Sequence, residues 1–197
     1  MSEAHARLLN PHTAPHGCKA YCESHGLWTK RILNQYQLGC EGEWLVIPYL
    51  SRGRVLQVKY RCTADHDHGA LGHGKYRYDP GTTTRLFNTA AYFDANGTIA
   101  LAEGEVDAIA ATEHLGIPTM GYAGTAQWHS HGEYWEVALR DFERVVIFAD
   151  GDEPGITSAR TIAADLGKRA SIVRCPDGED VASMVHQGRT EELKGKL

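Results

Sequence analysis

No run of about 18 apolar residues occurs anywhere in the chain, so no membrane-spanning helix is expected. The leading segment MSEAHARLLNPHTAPHG lacks the basic-then-apolar layout of a secretory leader. Cysteine is sparse: five residues, an odd number at irregular spacing, argue against a disulfide framework and for a reducing compartment. Together these absences predict a cytoplasmic location. A phosphate-gripping P-loop is also missing, because Gly72-x-Gly74 is followed by no Lys-Ser or Lys-Thr pair. No serine or cysteine triad is visible, nor any internal repeat or low-complexity stretch.

What is present suits a globular protein. With 197 residues, 42% hydrophobic and 23% charged, the chain has room for one ordinary domain or two small, closely packed ones. The net charge of -5 is unevenly spread. Residues 1–97 carry 11 Lys and Arg against 8 Asp and Glu, a net of +3, and residues 98–197 carry 9 against 17, a net of -8. An acidic half either repels nucleic acid or gathers carboxylates on divalent cations that attract phosphates; the positions of the acids decide.

The chain reads as three segments: an arm over 1–18, a basic mixed subdomain over 19–97, and an α/β subdomain over 98–197. The arm has no periodic apolar pattern. Lys19–Leu38 has helical spacing interrupted at Gly26, which predicts two short helices. Trp44–Ile47 and Val55–Tyr60 flank Ser51-Arg52-Gly53 and predict a β-hairpin. The Gly-, Asp- and His-rich residues 63–84 read as a long loop. From Thr98 onward strands alternate with helices: strands at 99–102, 117–122, 144–149 and 170–175, and helices at 105–115, 134–142, 156–166 and 180–186. Such alternation implies a mostly parallel sheet flanked by helices.

In such sheets function gathers at the carboxyl ends of the strands. Three of these ends carry acids: Glu103 with Asp107 one turn later, Asp150 with Asp152 around Gly151, and Asp177, Glu179 and Asp180. Carboxylates packed together raise one another's pKa unless a cation offsets them, and magnesium or manganese prefers oxygen ligands. Two such ions about 3.5–4 Å apart can clamp the attacking and leaving oxygens of a phosphoryl displacement. Glu103, Asp107, Asp150, Asp152 and Asp180 are therefore the candidate metal ligands. The alternative for each acid is a helix N-cap or a solvated turn residue.

Zinc is not expected. Cys18-x3-Cys22 with His16 and His25 has no second pair, and His66, His68, His73, His129 and His131 read as solvated loop residues.

ALAEGEVDAIAA (100–111) resembles the Glu-Gly-x-x-Asp motif that opens a Toprim domain, FADGDEPG (148–155) its Asp-x-Asp motif, and PDGEDVASMV (176–185) its third acidic segment. AYCESHGLWTKRILNQYQLGC (20–40), EWLVIPYLSRGRVLQVKYR (43–61), KYRYDPGTTTRLFN (75–88) and GYAGTA (121–126) resemble segments of the catalytic core of DnaG-type primases, most closely the compact phage enzymes. The likeness covers about residues 20–190.

The resemblance implies a DNA-directed RNA polymerase core that makes short RNA primers on single-stranded DNA from ribonucleoside triphosphates, using Mg2+ or Mn2+, in a bacterial or phage-infected cell. It implies catalysis by Glu103, Asp150 and Asp152, with Asp107 and Asp180 sharing or supporting the metals. Lys59, Arg61 and Lys75, extended by Arg52 and Arg54, would face triphosphates or template. Three departures stand out. Ala182 occupies the place of the third motif's usual second aspartate, and neither a zinc ribbon nor a helicase domain is visible; the last two imply a separate zinc-ribbon subunit and a replicative helicase as partners. Toprim proteins also include nucleases and strand-cleaving enzymes, and a non-catalytic nucleic-acid-binding subunit is the third reading.

Overall fold

The computed structural model describes residues 3–197; Met1 and Ser2, the start of the expected arm, lie outside the described residues. The chain divides into two units, Met1–Thr83 and Thr84–Leu197.

The first unit is built on an antiparallel meander of four strands in sequential order: β1 (Gly39–Glu41), β2 (Trp44–Ser51), β3 (Arg54–Cys62) and β4 (Tyr76–Tyr78). The predicted hairpin is β2–β3, with a register shift at Tyr49/Leu50 and a turn in which Arg52 takes φ 48 before Gly53 at φ 74. The interrupted helical pattern becomes α2 (His16–Ser24) and α3 (Lys30–Gln35), parted by Gly26 at φ 69. Thr29 caps α3 by accepting from the Ile32 N–H at 3.2 Å.

Two expectations change here. Glu3–Leu9 forms a helix, α1, where the composition showed no period; its Leu8 is fully buried and its His5 Nδ1 donates to the Leu38 carbonyl at 2.6 Å. Tertiary partners supply what seven residues cannot hold alone. A disulfide also exists. Cys18 and Cys40 are joined, with Cα atoms 6.3 Å apart, a pairing across 22 residues that spacing could not reveal. Cys22, Cys62 and Cys175 are buried free thiols.

The second unit is the predicted α/β layer structure. Its four strands, β5 (Thr98–Glu103), β6 (Thr119–Tyr122), β7 (Arg144–Ala149) and β8 (Ala170–Arg174), pair in parallel in the order β6-β5-β7-β8. Side chains alternate across the sheet. Ile99, Leu101, Val145, Ile147 and Ala149 join one core with Trp128 and Trp135 of α6 (Thr125–Ala138) and Ala159, Ile162 and Leu166 of α7 (Glu153–Leu166). Ala100, Ala102, Val146 and Phe148 point the other way and are also fully buried. That face is covered by α5 (Glu105–Ala110), against which α8 (Val181–His186) packs, with α9 (Thr190–Lys194) beyond. Burial on both faces explains why β7 reads as the continuous apolar run RVVIFA. Trp128 Nε1 donates to Asp165 Oδ2 at 2.8 Å, so the largest buried ring keeps its polar atom satisfied.

The boundary falls earlier than expected. Residues 84–97, read as the end of the basic subdomain, belong to this second unit. Phe87 bridges to Gly121 beside β6, and Leu86 and Ala91 enter the same core as Ile99; Ala91 begins the short helix α4 (Ala91–Asp94). Helix α6 starts at Thr125, well before the predicted 134.

Candidate active site

The strand order reverses at β5, because β6 pairs on one of its sides and β7 on the other. Crevices form at the carboxyl ends of such neighbours, since the chain leaves them in opposite directions. Glu103 ends β5 and Asp150 follows β7, so these two acids are delivered to one rim. Gly104, at φ 98, turns the chain into α5, whose first turn carries Asp107. No side chain fits where β6 passes this turn: a Cβ on Gly121 would lie 2.6 Å from the Gly104 carbonyl oxygen.

The loop after β7 is joined to the loop after β8. Gly151 N–H donates to the Glu179 carbonyl at 2.8 Å, and the Gly151 carbonyl accepts from Gly178 N–H at 2.9 Å. A Cβ on Gly151 would stand 1.6 Å from the Pro176 carbonyl oxygen. This explains the glycine in Asp150-Gly151-Asp152: only a bare backbone lets the second and third acidic segments touch. Asp152 caps α7, its Oδ1 accepting from Gly155 N–H at 2.7 Å. Asp180 caps α8 in a reciprocal box: its Oδ1 accepts from Ser183 N–H at 2.7 Å, and its own N–H donates to Ser183 Oγ at 2.9 Å. The capping alternative therefore holds for both residues. A capping carboxylate spends one oxygen on its helix and keeps the other as a donor atom.

The acids feel one another. Burial pushes Asp150 up to about 7, helped by Glu103, Asp180 and Asp152 in that order. Burial holds Asp107 well above the usual carboxylate range, reinforced by Asp180 and Asp150 and opposed by the Ala182 N–H, which donates to its Oδ1 at 2.9 Å. Among the described residues, no Lys or Arg stands within ion-pair distance of Asp107, Asp150, Asp152 or Asp180. The remaining acids of the third segment differ. Asp177 pairs with Arg174 at 2.7 Å and Glu179 with Arg189 at 2.6 Å. An all-oxygen set of mutually repelling, unneutralised carboxylates fits Mg2+ or Mn2+.

Two neighbours were not singled out in the sequence. Tyr122 ends β6 and is buried; its phenol accepts from Ser158 Oγ at 3.2 Å. Burial, then Glu103, Asp150 and Asp107, push its pKa up, while the Ser158 bond opposes them. Cys175, just past β8, is likewise pushed up to about 12 by burial and then by Asp150, Asp107 and Asp180. Neither is an activated nucleophile. Both lie at or just beyond the carboxyl end of a parallel strand, the signal that would have found them.

In the first unit, the basic candidates separate into two groups. Lys59 is buried, its ammonium 4.4 Å from the Tyr76 ring centre and 5.7 Å from that of Tyr78. Arg61 stacks on Tyr21 at 4.2 Å and donates to the Tyr76 hydroxyl at 3.4 Å. Lys75 joins them, its pKa lowered by burial and by Arg61. The β3–β4 register, Lys59 opposite Tyr78 and Arg61 opposite Tyr76, creates this cation-aromatic face. Arg52 and Arg54 lie exposed at the hairpin turn, at the other end of β3.

The loop histidines also depart from expectation. His66, His68 and His73 are half-buried and gather around Cys62, whereas Cys18, which a zinc pair with Cys22 would need, is taken by Cys40.

The Toprim-like family matches residues 100–185. The chain is 40% identical to the Gene 57 protein of Mycobacterium phage D29 over 156 residues, which is 76% of this chain and 95% of that protein. Among solved structures it is similar to a DNA primase domain from Pseudomonas aeruginosa, with TM-score 0.76 and 19% identity over 96% of this chain and 73% of that one. It is also similar to the RNA polymerase domain of Mycobacterium tuberculosis primase DnaG in complex with double-stranded DNA, with TM-score 0.78 and 16% identity over 98% and 76% of the two chains. At those identities the likeness is one of fold. The chain thus belongs to the family of the phage Gene 57 protein, with a Toprim-like domain set in the fold of the DnaG primase catalytic core.

Proposed function

We propose that this protein is a primase core that joins ribonucleotides into short RNA primers on single-stranded DNA. The observation that carries the reading is the placement of Glu103 and Asp150 at the ends of adjacent parallel strands, where burial, Glu103, Asp180 and Asp152 lift the Asp150 pKa to about 7.

Asp150, Asp152, Asp180 and Glu103 would hold the divalent ions, and Asp107 would support them from beneath. When bound, Mg2+ or Mn2+ supplies charge stabilisation for the oxygens of the phosphoryl displacement. Glu103, at the end of β5, would accept the proton of the primer 3′-hydroxyl. Asp152 and Asp180 keep fixed directions through their N-cap bonds, which limits reorganisation on loading. Lys59, Arg61 and Lys75, with Tyr21, Tyr76 and Tyr78, would contact nucleotide phosphates and bases, cations serving the backbone and rings the bases. Arg52 and Arg54 would add weaker phosphate contacts at the hairpin tip.

Strand cleavage through tyrosine fits less well. Tyr122 is the tyrosine beside the acids, and its buried phenol is shifted away from ionisation. The test is incubation of the protein with single-stranded DNA, ribonucleoside triphosphates and Mg2+ or Mn2+, alone and with a separate zinc-ribbon protein and replicative helicase. RNA oligomers that vanish in Glu103→Ala and Asp150→Ala are expected. Cleaved DNA would replace the reading with a nuclease, and template binding without either product would leave an accessory subunit.

A further inference from the structure

Strand β3 ends on Cys62, and the chain returns to β4 through the loop 63–74. The loop is closed where Cys62 N–H donates to the Lys75 carbonyl at 2.9 Å. Within it, Asp67 organises a turn: its Oδ1 accepts from Gly69 N–H at 2.9 Å and Ala70 N–H at 3.2 Å. Gly72, at φ 73, then folds the chain back so that His73 N–H donates to the His68 carbonyl at 3.0 Å. These local bonds bring three imidazoles together beside one thiol.

The gathering is tight. One donor atom each from Cys62, His66, His68 and His73 lies within 4.8 Å of all the others. The three rings form a triangle with centroid separations of 4.6, 5.0 and 5.3 Å. Cys62 Sγ and His66 Nε2 are 3.6 Å apart. A sulfur and a nitrogen sharing a tetrahedral zinc at about 2.3 and 2.0–2.1 Å are separated by roughly 3.5 Å. His73 Nδ1 donates to the Gly74 carbonyl at 3.0 Å, which fixes the ring and leaves Nε2 as its ligand atom. His68 Nδ1 is buried and has no hydrogen-bond partner. Three imidazoles in edge-on and tilted contact, one with an unsatisfied ring nitrogen, beside a thiol make a well-formed ligand set for an ion.

We propose that Cys62, His66, His68 and His73 form a structural zinc site in the first unit. It does not depend on the proposed polymerase activity. The donor set is four protein ligands, so no position is left open for substrate, as a structural site requires. A soft thiolate with three imidazoles selects zinc over the hard ions suited to the carboxylates of the second unit. The site's position gives its role. The ladder pairs Arg61 with Tyr76 and Lys59 with Tyr78 directly beyond the Cys62–Lys75 closure, so the ion would clamp the open end of the β3–β4 pair and hold its cation-aromatic face in register.

The test begins with metal content. Protein purified under reducing conditions without added metal, then dialysed against a weak chelator, is expected to carry about one zinc per chain by mass spectrometry of the elements. Stripped protein titrated with Co2+ is expected to show tetrahedral d–d bands and a thiolate-to-cobalt charge-transfer band, saturating at one equivalent. Cys62→Ser should lose the charge-transfer band, and His68→Ala should bind Co2+ at least tenfold more weakly. Glu103→Gln combined with Asp150→Asn should leave both spectra intact. The inference is overturned if folded wild-type protein neither holds zinc nor gives the cobalt–thiolate spectrum. Retention of that spectrum in Cys62→Ser would overturn it equally. Because the decisive spectrum is read on wild-type protein, a variant that fails to fold does not rescue the idea.

Discussion

The backbone N–H of Ala182 donates to Oδ1 of Asp107 across 2.9 Å, tying the start of α8 to the first turn of α5, 75 residues earlier. Ala182 is fully buried, and it stands where the resemblance implies a second carboxylate. A charge there would lie beside Asp107, whose own ionisation is already opposed by burial, Asp180 and Asp150. Here the third segment contributes a hydrogen-bond donor in place of the second acid that the resemblance implies.

This contact makes a first prediction. Asp107→Asn keeps an acceptor for Ala182 and removes the charge, whereas Asp107→Leu removes both. In urea unfolding with chelator at pH 8, the Leu variant is expected to be less stable than the Asn variant by about 1–3 kcal/mol, the usual penalty for a buried unsatisfied N–H. Equal stabilities would show that the bond is not formed in solution.

Asp150 sets a pH dependence. Its folded value, about 7, lies above the ordinary 3.8, so between those pH values the folded chain keeps a proton that the unfolded chain releases. Stability therefore falls as pH rises through that window, and the penalty is complete above about 7. Asp150→Asn removes this contribution. In chelator, the variant should match wild type near pH 4 and exceed it by about 1–3 kcal/mol above pH 7. Saturating Mg2+ should stabilise wild type and close the gap. Thermal melts at several pH values, with and without Mg2+, check both statements; a pH-independent difference would refute them.

Gly151→Ala should be among the most damaging single changes. The new Cβ meets the Pro176 carbonyl backbone at 1.6 Å, so the two acidic loops must separate. We expect a loss of about 4 kcal/mol or more, at the upper end for point substitutions. Gly53→Ala, whose Cβ would meet nothing within 4 Å, should cost about 1 kcal/mol from its positive φ alone. Denaturant unfolding of the pair separates steric collision from backbone strain.

On the first unit, Arg61→Ala is expected to weaken single-stranded DNA binding about 3- to 10-fold and to reduce the log–log salt slope by about 0.7. Tyr76→Ala removes the ring beneath both Lys59 and Arg61 and should weaken binding with little change in slope, because it carries no charge. Arg52→Ala and Arg54→Ala, at the exposed turn, should have smaller effects. Fluorescence anisotropy at several salt concentrations distinguishes these patterns.

Periodicity and strand-end chemistry were local enough to read directly. The run RVVIFA, bracketed by polar residues, could only be a strand buried on both faces, and β7 spans those residues. Acids following apolar strands announced the carboxylate rim, because a parallel sheet must bring its carboxyl ends to one side. The hairpin at Ser51–Arg54 was likewise written in its turn residues. Less was legible where partners lie far apart in sequence. Helix α1 has no apolar period of its own and forms around the buried Leu8 and around His5, which bonds the Leu38 carbonyl. The Cys18–Cys40 bridge and the transfer of residues 84–97 to the second unit follow from packing that no short window contains.

The sequence by itself determined the α/β alternation, the acids at the strand ends and the glycines that let the backbone turn there, because each depends on a few adjacent residues. Only the tertiary structure decided which acids stay unneutralised, that Ala182 serves Asp107 through its backbone, and that a thiol at the end of β3 meets three loop histidines. Those outcomes depend on distances between segments, and distance is what the strand order and the closing of loops create.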